Sequence, residues 1–185
     1  MRAYTLTFTL LASLTVLPVY LQVSESGPIS LDRYIETGQT IVIAKCLSVG
    51  PLKAGLTADV EMRILHTLKG AEADREFTAD TGFYMQEGES YLLQLRSVVH
   101  SGEKSFHIGR SKISVVPMHA IENFAELKAL PLRQQVIRIF SQRKSAVADE
   151  IRRLSFLDRR TEEVEEQILR LTREREVLEK VLEGR

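Results

Sequence analysis

The 185-residue chain has one cysteine, Cys46, so no intramolecular disulfide can form and a disulfide-stapled framework is excluded. Set in the apolar run TIVIAKCLSV, Cys46 reads as a small buried hydrophobe; an intermolecular disulfide is the other use open to it. Neither sign of charge is in excess. With 25 Lys+Arg against 25 Asp+Glu, no overall field draws the molecule to nucleic acid or to an anionic membrane, and no nucleic-acid partner is expected. Histidine is scarce too: His66, His100, His107 and His119 are the four imidazoles. None has a Cys/His or His-x-x-x-His spacing, so neither a metal nor a cofactor is expected, and His100 and His107 are at most neighbours across a hairpin. The segments GAEADRE and GFYMQEGES lack the lysine and following helix of a phosphate loop, and no serine sits in G-x-S-x-G. Glu87 and Glu89 fall in a turn and read as solvated carboxylates. With no catalytic constellation, the expectation is a protein that is not an enzyme.

Charge is also missing from Ala3 to Ser24, a run that follows Met1-Arg2 and meets Glu25, Ser26 and Gly27. A positive start, an apolar stretch and a small-residue exit make residues 1–27 a signal peptide or an N-terminal membrane anchor. As a helix, the stretch from Thr5 to Val23 would rise about 28 Å, enough for an anchor despite Pro18. Only an uncleaved segment would tie the protein to a membrane. An ordinary packed helix would show a polar face, which this run lacks. The expected location is extracytoplasmic: periplasmic, secreted or membrane-anchored. Export without disulfides suits a bacterial envelope.

Residues 28–118 read as one barrel-like unit with a core of its own. PISLDRYIETG is a short helix with Ser30 as N-cap, Asp32 in the first turn and Gly38 as its stop. Leu31, Tyr34 and Ile35 share its buried face. A β-branched run over 40–49 follows. In DVEMRIL, Val60, Met62 and Ile64 alternate with Asp59, Glu61 and Arg63, the period of a half-buried strand. Further strands are expected at 76–81, at 91–100, at 104–108 after a Ser101-Gly102 turn, and at 112–116, ended by Pro117. About six short strands with close turns suggest a closed barrel or sandwich.

Residues 119–185 change character, and from Leu132 to Glu183 glycine and proline are absent. A short helix over 119–130 is followed by one that Pro131 can start, about 80 Å long if unbroken. Its seam runs Val147, Ile151, Leu154, Leu157, Thr161, Val164, Ile168, Leu171, Arg175, Leu178 and Leu182. Spacings alternate between four and three except for two consecutive threes, which predicts a coiled coil over about 144–183 with a stammer. Ser155 to Asp158 can instead be an interhelix break, because Ser-x-x-Asp resembles a capping box. The first half is rich in arginine and the second in glutamate, favouring antiparallel contact either by folding back or with a second chain.

Three segments taken in order, TIVIAKCLSVG, ADVEMRILHTLKG and TGFYMQEGESYLLQL, resemble the netrin-like domain, the OB-fold module of tissue inhibitors of metalloproteinases and its bacterial relatives. The resemblance spans Leu31 to about Val99. In the family a helix precedes a strand of the type A-D-x-V-x-x-G-x-V, matched by the stretch from Gln39 to Cys46. An alternating strand then ends in K-G, matched by Lys69 and Gly70. The pattern C-G-x-x-F followed by G-x-x-Y-L is matched by Gly82, Phe83, Gly88, Tyr91 and Leu92. Tyr91, Leu93 and Leu95 are expected to point into the barrel, while Gly88 permits a tight entry to the strand. Thr81 stands where the family has a cysteine, and no cysteine is available at a mature N-terminus, so the family's zinc-chelating mechanism is not carried over.

The expectation is therefore a small closed β-barrel of netrin-like OB type followed by a long helical or coiled-coil segment. The barrel would bind a protein partner and the helix would oligomerise or dock, forming a homo-oligomer if the contact is between copies. The alternative is a protease inhibitor that acts through barrel loops.

Overall fold

The computed structural model describes residues 30–53, 57–70, 76–100, 103–109, 111, 113–118, 124–157 and 161–184. The expected export segment, the Ser101-Gly102 turn, Lys112 and His119 lie outside the described residues. The elements run α1 (Leu31–Thr37), β1 (Thr40–Val49), β2 (Ala58–Lys69), β3 (Glu76–Thr81), β4 (Ser90–His100), β5 (Glu103–Ile108), β6 (Val115–Met118), α2 (Phe124–Lys128), α3 (Leu132–Ser155) and α4 (Glu162–Glu183).

Helix α1 forms for the expected reasons. Ser30 Oγ accepts from the Arg33 amide at 3.2 Å, and the Gly38 amide closes the last turn on Tyr34 O at 3.2 Å. The strands then follow the order β1-β2-β3-β5-β4, and a β1–β4 pairing closes the ring. All of these pairings are antiparallel except β3–β5, which is parallel through Ala79↔Phe106 and Asp80↔His107. This is the five-stranded Greek-key barrel of the OB type, the architecture read from the sequence.

The alternation in β2 places Val60 and Met62 inside, both fully buried, while Asp59, Glu61 and Arg63 are exposed. Strands β1 and β4 differ because both of their faces are covered. Val42, Ala44, Cys46, Tyr91, Leu93 and Leu95 fill the barrel. Ile41, Ile43 and Leu92 point out, into a second cluster with Leu31 and Tyr34 of α1, Val136, Ile139 and Phe140 of α3, and Leu178 and Val181 of α4. Double coverage is why these strands read as apolar runs and not as alternations. Tyr34 stacks edge-on against Phe140, with ring centroids 5.3 Å apart.

Two strand expectations change. The last strand is Val115–Met118 and Pro117 lies within it, opposite Tyr91. Proline fits there because β6 pairs with β4 alone, as an edge strand needing no donor on its other side. His100 and His107 are not cross-strand neighbours: His100 pairs with Glu103, and His107 with Arg96. Strands β5 and β6 lie in line along β4, separated where the chain leaves the ladder opposite Gln94. The Gly109 amide donates to Gln94 O, and the Gln94 amide to Ser114 O, both at 2.9 Å. The buried Gln94 side chain donates from Nε2 to Tyr34 O at 2.9 Å, and its Oε1 accepts from Ser114 Oγ at 3.2 Å. This links β4, α1 and the β5–β6 connection by polar bonds.

The long helix is a hairpin. Of the two readings of residues 155–158, a break is found, but Ser155 is not the cap: its Oγ bonds back to Ile151 O at 2.7 Å. Thr161, expected on the seam, is the N-cap of α4, with Oγ1 accepting from the Val164 amide at 3.4 Å. Glu162, Glu163 and Glu165 favour the positive end of that helix. Val147, Leu154 and Leu171 are buried between the helices with Ile151, Val164 and Ile168 packed around them. Leu178 joins the cluster against the barrel, where the fully buried Val181 holds the inner place and Leu182 is only partly buried. Leu157 stays in the break, 45% exposed. The register is antiparallel. Arg143 makes a two-pronged bond to Glu174, at 2.6 and 2.9 Å, and Lys144 reaches Glu179 at 3.1 Å. The charge asymmetry of the sequence is thus used within the chain.

Helix α3 also touches β2, where Nε2 of His66 lies 3.3 Å from Gln135 Oε1. Burial lowers the His66 pKa; the Gln135 bond opposes this shift and the Lys128 charge adds to it. The unfolded chain, with an imidazole near its ordinary value of about 6.5, therefore binds the proton first as pH falls. This contribution to stability is full above about pH 6.5 and is lost as pH drops through that value towards the folded one. Thermal melts at pH 7.5 and 5.5 are expected to show a smaller acid-induced drop for His66→Gln than for the parent. Equal drops would remove His66 from the account.

Candidate functional site

One end of the barrel displays apolar side chains to solvent among the described residues. The described part of the β1–β2 connection, residues 50–53 and 57, and the β3–β4 connection, residues 82–89, lie at this end because Ala58 pairs with Thr81 and Lys45 with Ser90. Val49 is 41% exposed, Leu52 64% and Tyr84 72%.

The β3–β4 connection is held at several points. The Gly88 amide donates to Cys46 O, and the Cys46 amide to Glu89 O, both at 2.9 Å, while the Glu89 amide closes a turn on Gln86 O at 3.3 Å. Gly88 has φ +85 in that turn, a conformation that a side chain disfavours. The Gln86 amide donates to the Tyr91 hydroxyl at 2.7 Å, and Thr81 Oγ1 accepts from the Phe83 amide at 3.1 Å. Phe83 and the buried Met85 pack on the barrel core. Tyr84 lies between two anchored residues and faces solvent, so little ordering entropy is left to lose when a partner covers it.

The β1–β2 connection is fixed by a charge arrangement. Asp59 and Asp80 stand opposite each other on β2 and β3, a like-charge pair that is unfavourable by itself. Lys53 resolves it. Its Nζ hydrogen-bonds to Asp59 and lies 3.7 Å from Asp80 Oδ1. The hydrogen bond to Asp59 is the chief reason the Lys53 pKa is raised. The Gly50 amide donates to Asp59 O at 2.8 Å, and the Lys53 amide to Thr57 O at 2.7 Å, which places Leu52 on a braced turn.

Cys46 lies beneath this surface, fully buried. Burial, and then the Glu87 charge, raise its pKa against a hydrogen bond to Ser48 O. A buried thiol kept protonated is a poor nucleophile.

Of the residues singled out in the sequence, Gly82, Phe83, Gly88 and Tyr91 come together at this end. Leu92 faces the other way, under the helices. Lys69 and Gly70 lie at the opposite end and fasten α1. Lys69 Nζ donates to Ile35 O at 2.6 Å and Glu36 O at 3.3 Å, satisfying carbonyls at the negative end of that helix. Gly70 has φ +99, and a Cβ there would stand 2.7 Å from Thr40 Oγ1. The sequence carries little that marks Leu52, and the signal for Tyr84 is the Phe-Tyr-Met alternation over 83–85.

Among the described residues no three His, Cys, Asp or Glu side chains gather as metal ligands, and no helix is long and apolar enough to cross a membrane. Fold and surface together define a class: an OB-type barrel with a helical hairpin docked on its outer wall and apolar side chains displayed on braced loops. Neither a family model nor a curated protein matches the chain.

Proposed function

We propose that the protein is a non-enzymatic, exported binding module of netrin-like type, whose barrel end captures a protein partner and whose helical hairpin is a second contact element. The observation that carries this reading is Tyr84, 72% exposed on a loop pinned by its two neighbours. Aromatic side chains held rigidly in this way are the usual anchors of protein interfaces. Residues 1–27 are read as the export signal or anchor on sequence grounds alone.

The test is a pull-down from envelope extract with the purified chain and with a Tyr84→Ala/Leu52→Ser variant. A protein retained by the parent and lost by the variant, at unchanged melting temperature, is the expected result. Equal retention by both would remove the barrel end from the reading. Recovery of a protease that the parent inhibits would favour the inhibitor alternative, which draws support from the bracing of the 86–89 turn, since inhibitory loops depend on preorganisation.

A further inference from the structure

The loop that carries Tyr84 holds charge of one sign. From Thr81 to Ser90 the chain has two carboxylates, Glu87 and Glu89, and no lysine, arginine or histidine. Both are exposed, as Tyr84 is, and neither enters an ion pair among the described residues. The backbone beneath them is fixed by the Gly88 and Glu89 bonds to Cys46 and by the Gln86 bond to Tyr91. Burial chiefly raises the pKa of the Tyr91 hydroxyl, against the Gln86 bond, and the charges of Glu89 and Tyr84 add to the rise. Both side chains are therefore within electrostatic reach of the same hydroxyl. Solvation of a turn asks for polar side chains at 87 and 89 and is indifferent to their sign.

Bases around the loop are few and mostly engaged. Lys53 is held by Asp59 and Asp80 together. Arg63, further along β2, is held by Glu76 at 2.7 Å, and His107 stands in register with Asp80 on β5. Among the described residues of this end that leaves Lys45, in register with Ser90, against Glu61, Glu87 and Glu89. Glu61 accepts from Ser48 Oγ at 2.9 Å, a neutral donor that leaves its charge in place. The surroundings of an exposed aromatic ring are thus acidic. Carboxylates beside a phenol ring suit a cation, and arginine best of all, because its plane stacks on the ring while its edge bonds a carboxylate. Val49 and Leu52, exposed at the same end, call for apolar side chains next to that cation, which a protein segment supplies and a free amine does not.

We propose that the barrel end receives a basic segment of its protein partner, with an arginine stacked on Tyr84 and paired to Glu87 or Glu89, and with apolar neighbours of that arginine set against Leu52. This rests on the reading of the barrel end as the partner-binding surface and adds the chemistry of the partner.

The experiment titrates the full-length chain into two fluorescent Gly-Ser peptides of equal length, one carrying Arg-Leu-Arg-Leu-Arg and the other Glu-Leu-Glu-Leu-Glu, and reads anisotropy. Binding of the basic peptide, weakening as salt rises, is expected, with none of the acidic one. Glu87→Gln/Glu89→Gln should weaken it about fivefold. Tyr84→Leu, which keeps apolar bulk and removes the ring face, should weaken it about threefold. Melting temperatures should not change, because the bonds of this turn are made by the backbone, and the salt dependence of the parent is a measure that needs no variant. A basic peptide that binds no better than the acidic one, or equally to the parent and to folded Glu87→Gln/Glu89→Gln, overturns the proposal. The envelope pull-down separates this from the reading beneath it. A protein lost with Tyr84→Ala/Leu52→Ser but retained equally by Glu87→Gln/Glu89→Gln, at low and high salt, leaves the barrel end a partner site and overturns its preference for a basic segment.

Discussion

A chain ending at residue 130, with α3 and α4 removed, is expected to lose its cooperative melting transition although every strand is present. The deletion strips Val136, Ile139, Phe140, Leu178 and Val181, all at most 2% exposed, from the outer wall of β1 and β4. At about 1.5–3 kcal/mol for each large apolar side chain, their burial together is comparable with the whole stability of a small domain, roughly 5–15 kcal/mol. Ile41, Ile43, Leu92 and Val116 would be left facing water. The sequence suggested that residues 28–118 hold a self-sufficient core; the shared cluster argues for the opposite outcome. Calorimetry of the shortened chain decides, and a sharp transition near that of the parent would show that the hairpin is dispensable.

Tyr91→Ala is expected to destabilise the full chain by about 3–5 kcal/mol, the range for losing a large buried aromatic. The ring is 4% exposed inside the barrel, and its hydroxyl accepts the Gln86 amide at 2.7 Å. Tyr91→Phe separates the two contributions. It keeps the packing and should cost about 1–2 kcal/mol by leaving a backbone donor without its partner. The second effect is local. In Tyr91→Phe, amide exchange should quicken at Gln86 and its neighbours ahead of the rest of the barrel. Unchanged exchange there would mean that the Gly88–Cys46 bonds alone hold the loop.

The legibility of this fold depended on whether one contact or several decided a residue's place. Val60 and Met62 were readable because β2 is wet on one side, so period two appears directly in the sequence. Strands β1 and β4 showed themselves as strands but not what covers them, because an apolar run gives no direction to its outer face. The count of four and three continues through Thr161 and puts it on the seam. Capping won there, since its hydroxyl can accept the Val164 amide only if the helix begins anew. Pro117 looks like a terminator in the sequence, by a rule that holds for central strands and fails for an edge strand with one neighbour. The surface at the barrel end was least legible. Tyr84 owes its exposure to Phe83 and Met85 being drawn inward, and that depends on the loop lying over Cys46.

The second cluster has a consequence for biosynthesis. Ile41 and Ile43 are among the first described residues to leave the ribosome, and Val181, which completes their cover, is among the last. At roughly 5–20 residues per second, about seven to thirty seconds separate the two ends of that contact. Throughout this interval a nascent barrel carries an uncovered apolar wall, the kind of surface on which unfinished chains aggregate. Closure therefore waits for the end of α4, and a chaperone that shields the wall of β1 and β4 would have to release it just as the last turn of that helix arrives.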